Sequence, residues 1–375
     1  MTLSASERAR YQRHLSLREI GAAGQEKLKA ARVLIVGAGG LGSPAALYLA
    51  AAGCGTLGLV DCDRVDVSNL QRQVLFDTAG LGQPKAEAGH ARLAALNPEI
   101  RVIAHALELK AVNVRALLAD YDLVVDGSDR LSTRYLVNDA CVLLGRPLVS
   151  AAIHRFEGQI MTYVPGRGPC YRCLFPAAAD GVVANCAEAG VLGVLPGVLG
   201  TLQATEVLKL ITGVGTPLVG RLLTYDALEL RFQEFRVERR HDCAVCGDAP
   251  TITEPRDPPG QSAQVPQDGV RRLTARALEA LLGATPPAPP LIDVREPWEF
   301  DTSHLEGARN IPLAELPQRI AEIPRSAAPV FVCRSGGRSM RACQLALAAG
   351  IAAPANLEGG MLGWAAEVDP TLPVA

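Results

Sequence analysis

The sequence predicts an α/β protein: a doubly wound, Rossmann-like, mostly parallel sheet with an antiparallel extension, followed by a second, small α/β domain. Three observations predict it. A strand-length apolar run, 32–36, stops in the glycine turn Gly37-Ala38-Gly39-Gly40-Leu41-Gly42, which opens a helix. Apolar strand-length runs and Ala/Leu-rich helical stretches then alternate as far as residue 151. The chain is 375 residues long and 49% apolar, enough for two cores, and a proline-rich stretch separates two such blocks.

In chain order, 6–29 carries Arg8, Arg10, Arg13 and Arg18 among helix formers and predicts one or two helices before the first strand. Gly37, Gly39 and Gly42 fit the G-x-G-x-x-G spacing, in which missing Cβ atoms allow a tight turn and let backbone N–H groups meet an anion. The motif alone says nucleotide without saying which. Residues 43–52 read as helix and 56–60 as the next buried strand, ending at Asp61, 24 residues after Gly37 and placed for a ribose contact, with Asp63 and Asp66 as close competitors. Strands at 101–105, 123–126 and 147–151 continue the parallel sheet, with helix at 133–144. The segments 159–164, 222–225 and 230–237 alternate as antiparallel strands do, and 190–212 reads as a long apolar helix broken near Pro196. Pro250, Pro255, Pro258, Pro259 and Pro266 mark an interdomain linker. The expected organisation is a nucleotide-binding domain over 1–248, a linker over 249–270 and a small domain over 271–375, with strands at 291–294 and 330–333 and a helix at 338–349.

A net charge of −2 without a long basic run disfavours nucleic acid and anionic membrane surfaces as partners. The polar N-terminus and interrupted apolar runs show no signal peptide or membrane span, so a cytoplasmic protein is expected. In that compartment ten cysteines do not form a disulfide framework. Cys170 with Cys173 and Cys243 with Cys246 read as the halves of a four-cysteine Zn²⁺ site, structural because four thiolates leave no open coordination position. A redox C-x-x-C is the rival, disfavoured because neither pair sits in an obvious thioredoxin unit.

Two loops supply isolated cations downstream of the nucleotide strand: Arg72 within Ser68-Asn69-Leu70-Gln71-Arg72-Gln73, and Lys85 after Gly82-Gln83-Pro84. A dehydrogenase has no general need for them, whereas expulsion of pyrophosphate needs cations over a triphosphate. The strand 122–126 runs into Gly127-Ser128-Asp129-Arg130, so Asp126 or Asp129 can hold Mg²⁺ at the carboxyl end of the sheet. In the small domain, Cys333-Arg334-Ser335-Gly336-Gly337-Arg338-Ser339 follows a strand and opens a helix, so backbone amides wrap the sulfur while Arg338 adds positive charge. Four residues between Cys and Arg make a ring sized for a persulfide, where phosphatases carry five.

Taken together, Arg10-Tyr11-Gln12-Arg13, the glycine turn, 68–73, 82–85, Glu157-Gly158-Gln159, Cys170-Tyr171-Arg172-Cys173, Asn185-Cys186-Ala187-Glu188-Ala189-Gly190 and 243–246 resemble the MoeB/ThiF family, prokaryotic relatives of ubiquitin-activating enzymes. The resemblance covers about 6–248. It implies adenylation, with ATP and Mg²⁺ in a homodimer, of the C-terminal Gly-Gly carboxylate of a small ubiquitin-like sulfur carrier of MoaD/ThiS type. By position it implies nucleotide contacts from Gly40, Asp61 and Ser68, phosphate contacts from Asn69, Arg72 and Lys85, a metal-linked carboxylate at Asp129, and Arg13 reaching into the partner's site. One departure is Arg130, where the family usually has Asn; it either replaces that nucleotide contact or points to solvent. Cys186 precedes the expected helix near Gly190, and in relatives such a cysteine is a candidate for a covalent link to the carrier; a small buried thiol is the alternative.

The segment Leu291-Ile292-Asp293-Val294-Arg295-Glu296-Pro297-Trp298-Glu299-Phe300, the Cys333 loop and Leu357-Glu358-Gly359-Gly360-Met361-Leu362-Gly363-Trp364 look like a rhodanese. This implies sulfurtransferase chemistry with Cys333 as persulfide carrier, fed by thiosulfate or a cysteine desulfurase, and Asp293 and Arg295 as structural residues. Joined, the halves suit ATP-dependent carrier activation followed by thiocarboxylate formation, as in bifunctional proteins serving molybdopterin synthesis and related thiolation pathways. An NAD-dependent oxidoreductase and a non-catalytic scaffold for a ubiquitin-like protein remain the alternatives from other classes.

Overall fold

The computed structural model describes residues 2–176, 190–257, 270–283, 289–324 and 328–374, and the chain divides into two compact units, 1–259 and 260–375. In the first, eight strands form one sheet: β1 (Arg32–Val36), β2 (Thr56–Val60), β3 (Arg101–His105), β4 (Leu123–Asp126), β5 (Leu148–His154), β6 (Glu157–Tyr163), β7 (Arg221–Asp226) and β8 (Arg231–Arg236), ordered β3-β2-β1-β4-β5-β6-β7-β8. The first five are parallel and the last three antiparallel. Chain order reverses between β1 and β4, and there the strands' carboxyl ends open a crevice.

Alternation along the parallel strands sets two apolar layers. Val33, Ile35, Leu57, Leu59 and Val125 face one way, into a core shared with the helices Gly42–Ala52 and Leu195–Thr212. Leu34, Val36, Val60 and Val124 face the other way, against Ala111–Ala119 and Leu131–Leu144. The glycine turn is shaped by close approach. Gly37 has φ +86°, and a Cβ on Gly42 would lie 1.8 Å from the Gly37 carbonyl oxygen. The helix Leu195–Thr212 crosses behind the turn: a Cβ on Gly40 would meet Pro196 at 3.1 Å, and Gln203 donates to the carbonyls of Asp126 (2.7 Å) and Val149 (3.2 Å), tying the last residue of β4 and the second residue of β5 to the helix.

That helix corrects one expectation. Pro196 does not break it but sits in its first turn, where a missing N–H costs no helical bond, so the helix begins at Leu195 and not near Gly190. The N-terminal segment forms three short helices, Ala5–Arg10, Gln12–Leu15 and Gly21–Ala30, where one or two were expected.

The second unit carries a parallel five-stranded sheet of β9 (Arg271–Leu273), β10 (Leu291–Asp293), β11 (Ala308–Asn310), β12 (Val330–Val332) and β13 (Ala355–Leu357), ordered β11-β10-β12-β13-β9. β12 and the helix Gly337–Ala348 flank the Cys333 loop. Asp293 and Arg295 are completely buried and pair at 2.7 Å, and Arg295 also donates to the carbonyl of Ser303, so the pair locks the chain leaving β10.

Candidate active site

A cleft of about 640 Å³ opens at the carboxyl ends of the first unit's strands, a size usual for small-ligand sites. Gly37, Gly39 and Gly40 line its floor; Asp61, Arg72, Lys85, Asp129 and Arg130 line its walls. Asp61 closes β2 onto the glycine turn, accepting from the N–H of Ala38 and of Asp63, both at 2.9 Å. Burial pushes its carboxyl up, against those two bonds and the nearby Lys85 charge. Lys85 opens the helix Lys85–Leu96, is 5% exposed, and reaches Asp63 at 3.4 Å. Arg72 is half-buried, held by donation to the Ser68 carbonyl at 3.0 Å.

The two aspartates after β4 differ in what already engages them. Asp126 is completely buried, and its carboxylate accepts from Ser128 N–H (3.0 Å), Ser128 Oγ (2.6 Å) and Ser150 Oγ (3.1 Å). Asp129 is exposed at the cleft, with no hydrogen bond or ion pair among the described residues. Geometry thus leaves Asp129 as the carboxylate available to a hard cation, which is commonly held through one or two carboxylates plus phosphate oxygens. Arg130 pairs with Glu108 at 3.6 Å, both at the rim.

Other sequence candidates lie elsewhere. Gly42 braces the turn from behind, and Ser68 and Asn69 sit in a short 3₁₀ turn, Val67–Asn69, where Asp66 accepts from Ser68; none of the three lines the cleft. Arg13 is exposed on the helix Gln12–Leu15, away from its own chain's cleft. Cys186 lies outside the described residues.

Three cleft residues escaped sequence reasoning. Gln73 is 5% exposed, and its Oε1 has no partner among the described residues, an acceptor held ready beside the glycine turn. Arg134 donates to the Ser128 carbonyl at 2.8 Å and lies 5.8 Å from the Tyr171 ring centroid. Tyr171 sits between Cys170 and Cys173 and lines the same cleft. Gln73 and Tyr171 fell within stretches singled out for their neighbours; Arg134 carried no signal, being one polar residue on a helix.

The four C-x-x-C sulfurs converge, all lying within 4.8 Å of one another. Adjacent Sγ separations are 4.0 Å (Cys170–Cys173), 3.6 Å (Cys170–Cys243) and 3.3 Å (Cys173–Cys246). Tetrahedral zinc with Zn–S near 2.3 Å places its sulfurs about 3.8 Å apart, so the set fits that ion. Burial pushes the Cys246 thiol up to about 12 and raises that of Cys170, whereas for Cys243 burial is outweighed by hydrogen bonds from the Cys246 and Val245 backbone and from neighbouring thiols, which lower it; a bound cation would favour all four as thiolates.

In the second unit, Cys333 is 1% exposed and its Sγ accepts from Gly336 N–H (3.1 Å) and Ser339 Oγ (3.2 Å). Arg338 extends to Glu299, with both guanidinium nitrogens donating at 2.7 Å.

Comparison with known proteins decides what these sites belong to. Residues 11–245 match the ThiF family and residues 274–367 the rhodanese-like domain. The chain belongs to the ThiF family. The chain is 43% identical over 382 residues to the probable adenylyltransferase/sulfurtransferase MoeZ of Mycobacterium tuberculosis, covering 99% of this chain and 96% of MoeZ. It is 44% identical over 402 residues to adenylyltransferase and sulfurtransferase MOCS3 of Sus scrofa, covering 99% and 88%. The sulfur carrier protein adenylyltransferase of Thermus thermophilus matches at 53% over 260 residues, covering 68% of this chain and 96% of that protein. Among solved structures, E. coli MccB aligns with a TM-score of 0.57 at 27% identity, over 66% of this chain and 75% of MccB; MccB has also been solved with ATP, aligning with a TM-score of 0.55 at 27% identity over 60% and 70%. This ThiF-family chain is therefore an enzyme, an adenylyltransferase and sulfurtransferase on an ATP-binding α/β fold. No helix among the described residues is long and apolar enough to cross a membrane.

Proposed function

We propose that the first unit adenylates the C-terminal glycine carboxylate of a small ubiquitin-like sulfur carrier and that Cys333 then delivers sulfur to it. The observation carrying this reading is one cleft that gathers the glycine turn, Asp61, Arg72, Lys85 and Asp129. Asp61 is placed for the ribose, Arg72 and Lys85 for the phosphates, and Asp129 for Mg²⁺, which would supply charge neutralisation on the triphosphate. The carrier carboxylate attacks the α-phosphorus, the bond to pyrophosphate breaks, and an acyl-adenylate forms. The outer sulfur of a Cys333 persulfide attacks the acyl carbon and AMP leaves. The resulting acyl disulfide yields the thiocarboxylate when a second thiol takes the Cys333 sulfur into a new disulfide.

The adenylating part spans 1–248 and the rhodanese part 271–375, joined by the proline-rich linker 249–270, which raises the effective concentration of one site at the other. A reducing, cytoplasmic setting is part of the proposal, carried by cysteine spacing that reads as metal and thiol chemistry. The test is ATP–pyrophosphate exchange with carriers ending in Gly-Gly, read also by mass for thiocarboxylate. Exchange and thiocarboxylate are expected with at least one carrier of MoaD or ThiS type; ATP hydrolysis with no carrier dependence overturns the reading.

Zn²⁺ is the ion proposed for Cys170, Cys173, Cys243 and Cys246. Metal analysis of the purified protein is expected to give one zinc per chain, lost on replacing Cys173 by serine together with several kcal/mol of stability. A stable, metal-free protein would remove the assignment. Arg13, outside its own cleft, is proposed to complete the cleft of a second copy; a monomer by light scattering that still catalyses exchange would exclude that role.

A further inference from the structure

The loop after β12 presents donors to one sulfur and turns its acceptors away. Cys333 Sγ takes the Gly336 N–H and the Ser339 hydroxyl. Gly336 curls at φ +98°, where a Cβ would meet the Leu357 carbonyl at 3.2 Å. The carbonyls of Cys333 and Arg334, which would repel an anion, instead accept from Met361 N–H (2.8 Å) and Leu362 N–H (3.0 Å) of the helix Gly360–Glu367. Such a cradle meets a negative sulfur with an N–H and an O–H donor.

Arg338 was the cation expected there, and its charge is already met. Its Nη1 and Nη2 donate in a fork to Oε2 and Oε1 of Glu299, with side chains 15% and 6% exposed. Burial pushes the Glu299 carboxyl up, but the Arg338 bond, the Glu296 N–H and the Arg338 charge outweigh it and hold the group below its usual range. It is ionised at neutral pH, so the pair is neutral as a whole. Bidentate Arg–carboxylate pairs are among the stronger charged contacts, and breaking one that is mostly buried leaves a carboxylate uncompensated.

We infer that Glu299 is a specificity-determining residue of the sulfurtransferase site: by neutralising Arg338 it favours a singly charged persulfide over doubly charged oxyanions at Cys333. This rests on the reading of Cys333 as the sulfur carrier. Loading from either source is the same displacement. The Cys333 thiolate attacks the outer sulfur of the donor, the donor S–S bond breaks, and the leaving group takes the electron pair, as sulfite from thiosulfate or as a thiolate from a persulfide. What differs is charge. Thiosulfate enters as a dianion, and its second charge needs a cation that Glu299 withholds; a protein or small-molecule persulfide enters with one charge that the N–H and O–H donors already match. The preferred donor class is therefore a thiol persulfide.

The test uses the full chain with Glu299→Gln and Glu299→Asp. Glutamine keeps the side chain's length, still accepts from Arg338, and preserves the capping box with the Glu296 backbone at the start of the helix Pro297–Thr302. The readout is the ratio of kcat/KM for thiosulfate to kcat/KM for glutathione persulfide, with sulfate as a competitive inhibitor. In Glu299→Gln the ratio is expected to rise about threefold to tenfold, and the sulfate inhibition constant to fall by a similar factor, because one screening charge has been removed from a partly buried site. Glu299→Asp keeps the charge and is not expected to raise the ratio. An unchanged or lower ratio in a Glu299→Gln protein with wild-type circular dichroism overturns the inference, as does an equal rise in Glu299→Asp. If the wild type forms no persulfide at Cys333 from either donor, the sulfur-carrier reading fails instead. Sulfate protection of Cys333 from iodoacetamide then decides for Glu299 alone, tighter protection in Glu299→Gln supporting charge neutralisation and equal protection excluding it.

Discussion

Asp129→Ala is expected to lower carrier-dependent ATP–pyrophosphate exchange by at least about a hundredfold, the scale of losing one preorganised charge-stabilising group, while thiosulfate–cyanide sulfurtransfer persists. The asymmetry follows from where the carboxylates sit. At the ends of β2 and β4, Asp61 is engaged by Ala38 and Asp63, Asp63 by Lys85, and Asp126 by Ser128 and Ser150. Only Asp129 of these faces the cleft without a partner among the described residues, so no neighbour can take over its task after truncation. Because it is exposed and makes no such contact, its loss should leave thermal stability within about 0.5 kcal/mol of wild type. Asp129→Asn, which keeps shape and removes charge, should resemble the alanine variant. Exchange within tenfold of wild type in either would remove Asp129 from the metal-linked role.

Cys333→Ala is expected to give the converse: no persulfide by intact mass and no sulfurtransfer above the uncatalysed background, with pyrophosphate exchange retained. The sulfur is buried and its two donors converge on it. Replacement leaves Gly336 N–H and the Ser339 hydroxyl without that acceptor, a cost of about 1–3 kcal/mol local to the loop. The second unit's other described cysteine, Cys343, is completely buried within the apolar core. A Cys333→Ala protein that still turns thiosulfate into thiocyanate would place the carrier sulfur elsewhere and separate the fold from the chemistry.

Much of the fold was legible because parallel strands buried on both faces read as unbroken apolar runs. The strands 56–60 and 123–126 fall where the sequence put them, as does the half-buried edge strand 101–105 with its apolar centre. All five strands of the second unit have three residues; the central β10 and β12 lie in apolar runs and were expected, whereas the edge strands β9 and β11, with exposed charged residues, and β13 escaped notice. Pro196 misled because a proline inside an apolar run signals a break, whereas a helix tolerates it in its first turn.

For the candidate sites, spacing alone identified the residue types and burial separated their roles. Asp126 and Asp129 are equivalent as letters, and only packing shows that one braces the loop while the other faces the cleft. Arg338 read as a charge added to Cys333 because its partner stands 39 residues earlier, on a different helix, where no local pattern could reveal it.

Gln203 gives the adenylation cleft unequal mechanical character. Its amide bolts the last carbonyl of β4, Asp126, and the carbonyl of Val149 early in β5 to a long helix whose Pro196 also rests against the glycine turn, so the glycine-turn end of the cleft behaves as bedrock. The opposite rim is held by Arg130, Glu108 and Lys110, exposed charges whose attachments are individually weak and sensitive to salt. The rim can therefore be retuned by substitution while the glycine-turn end of the cleft keeps its shape.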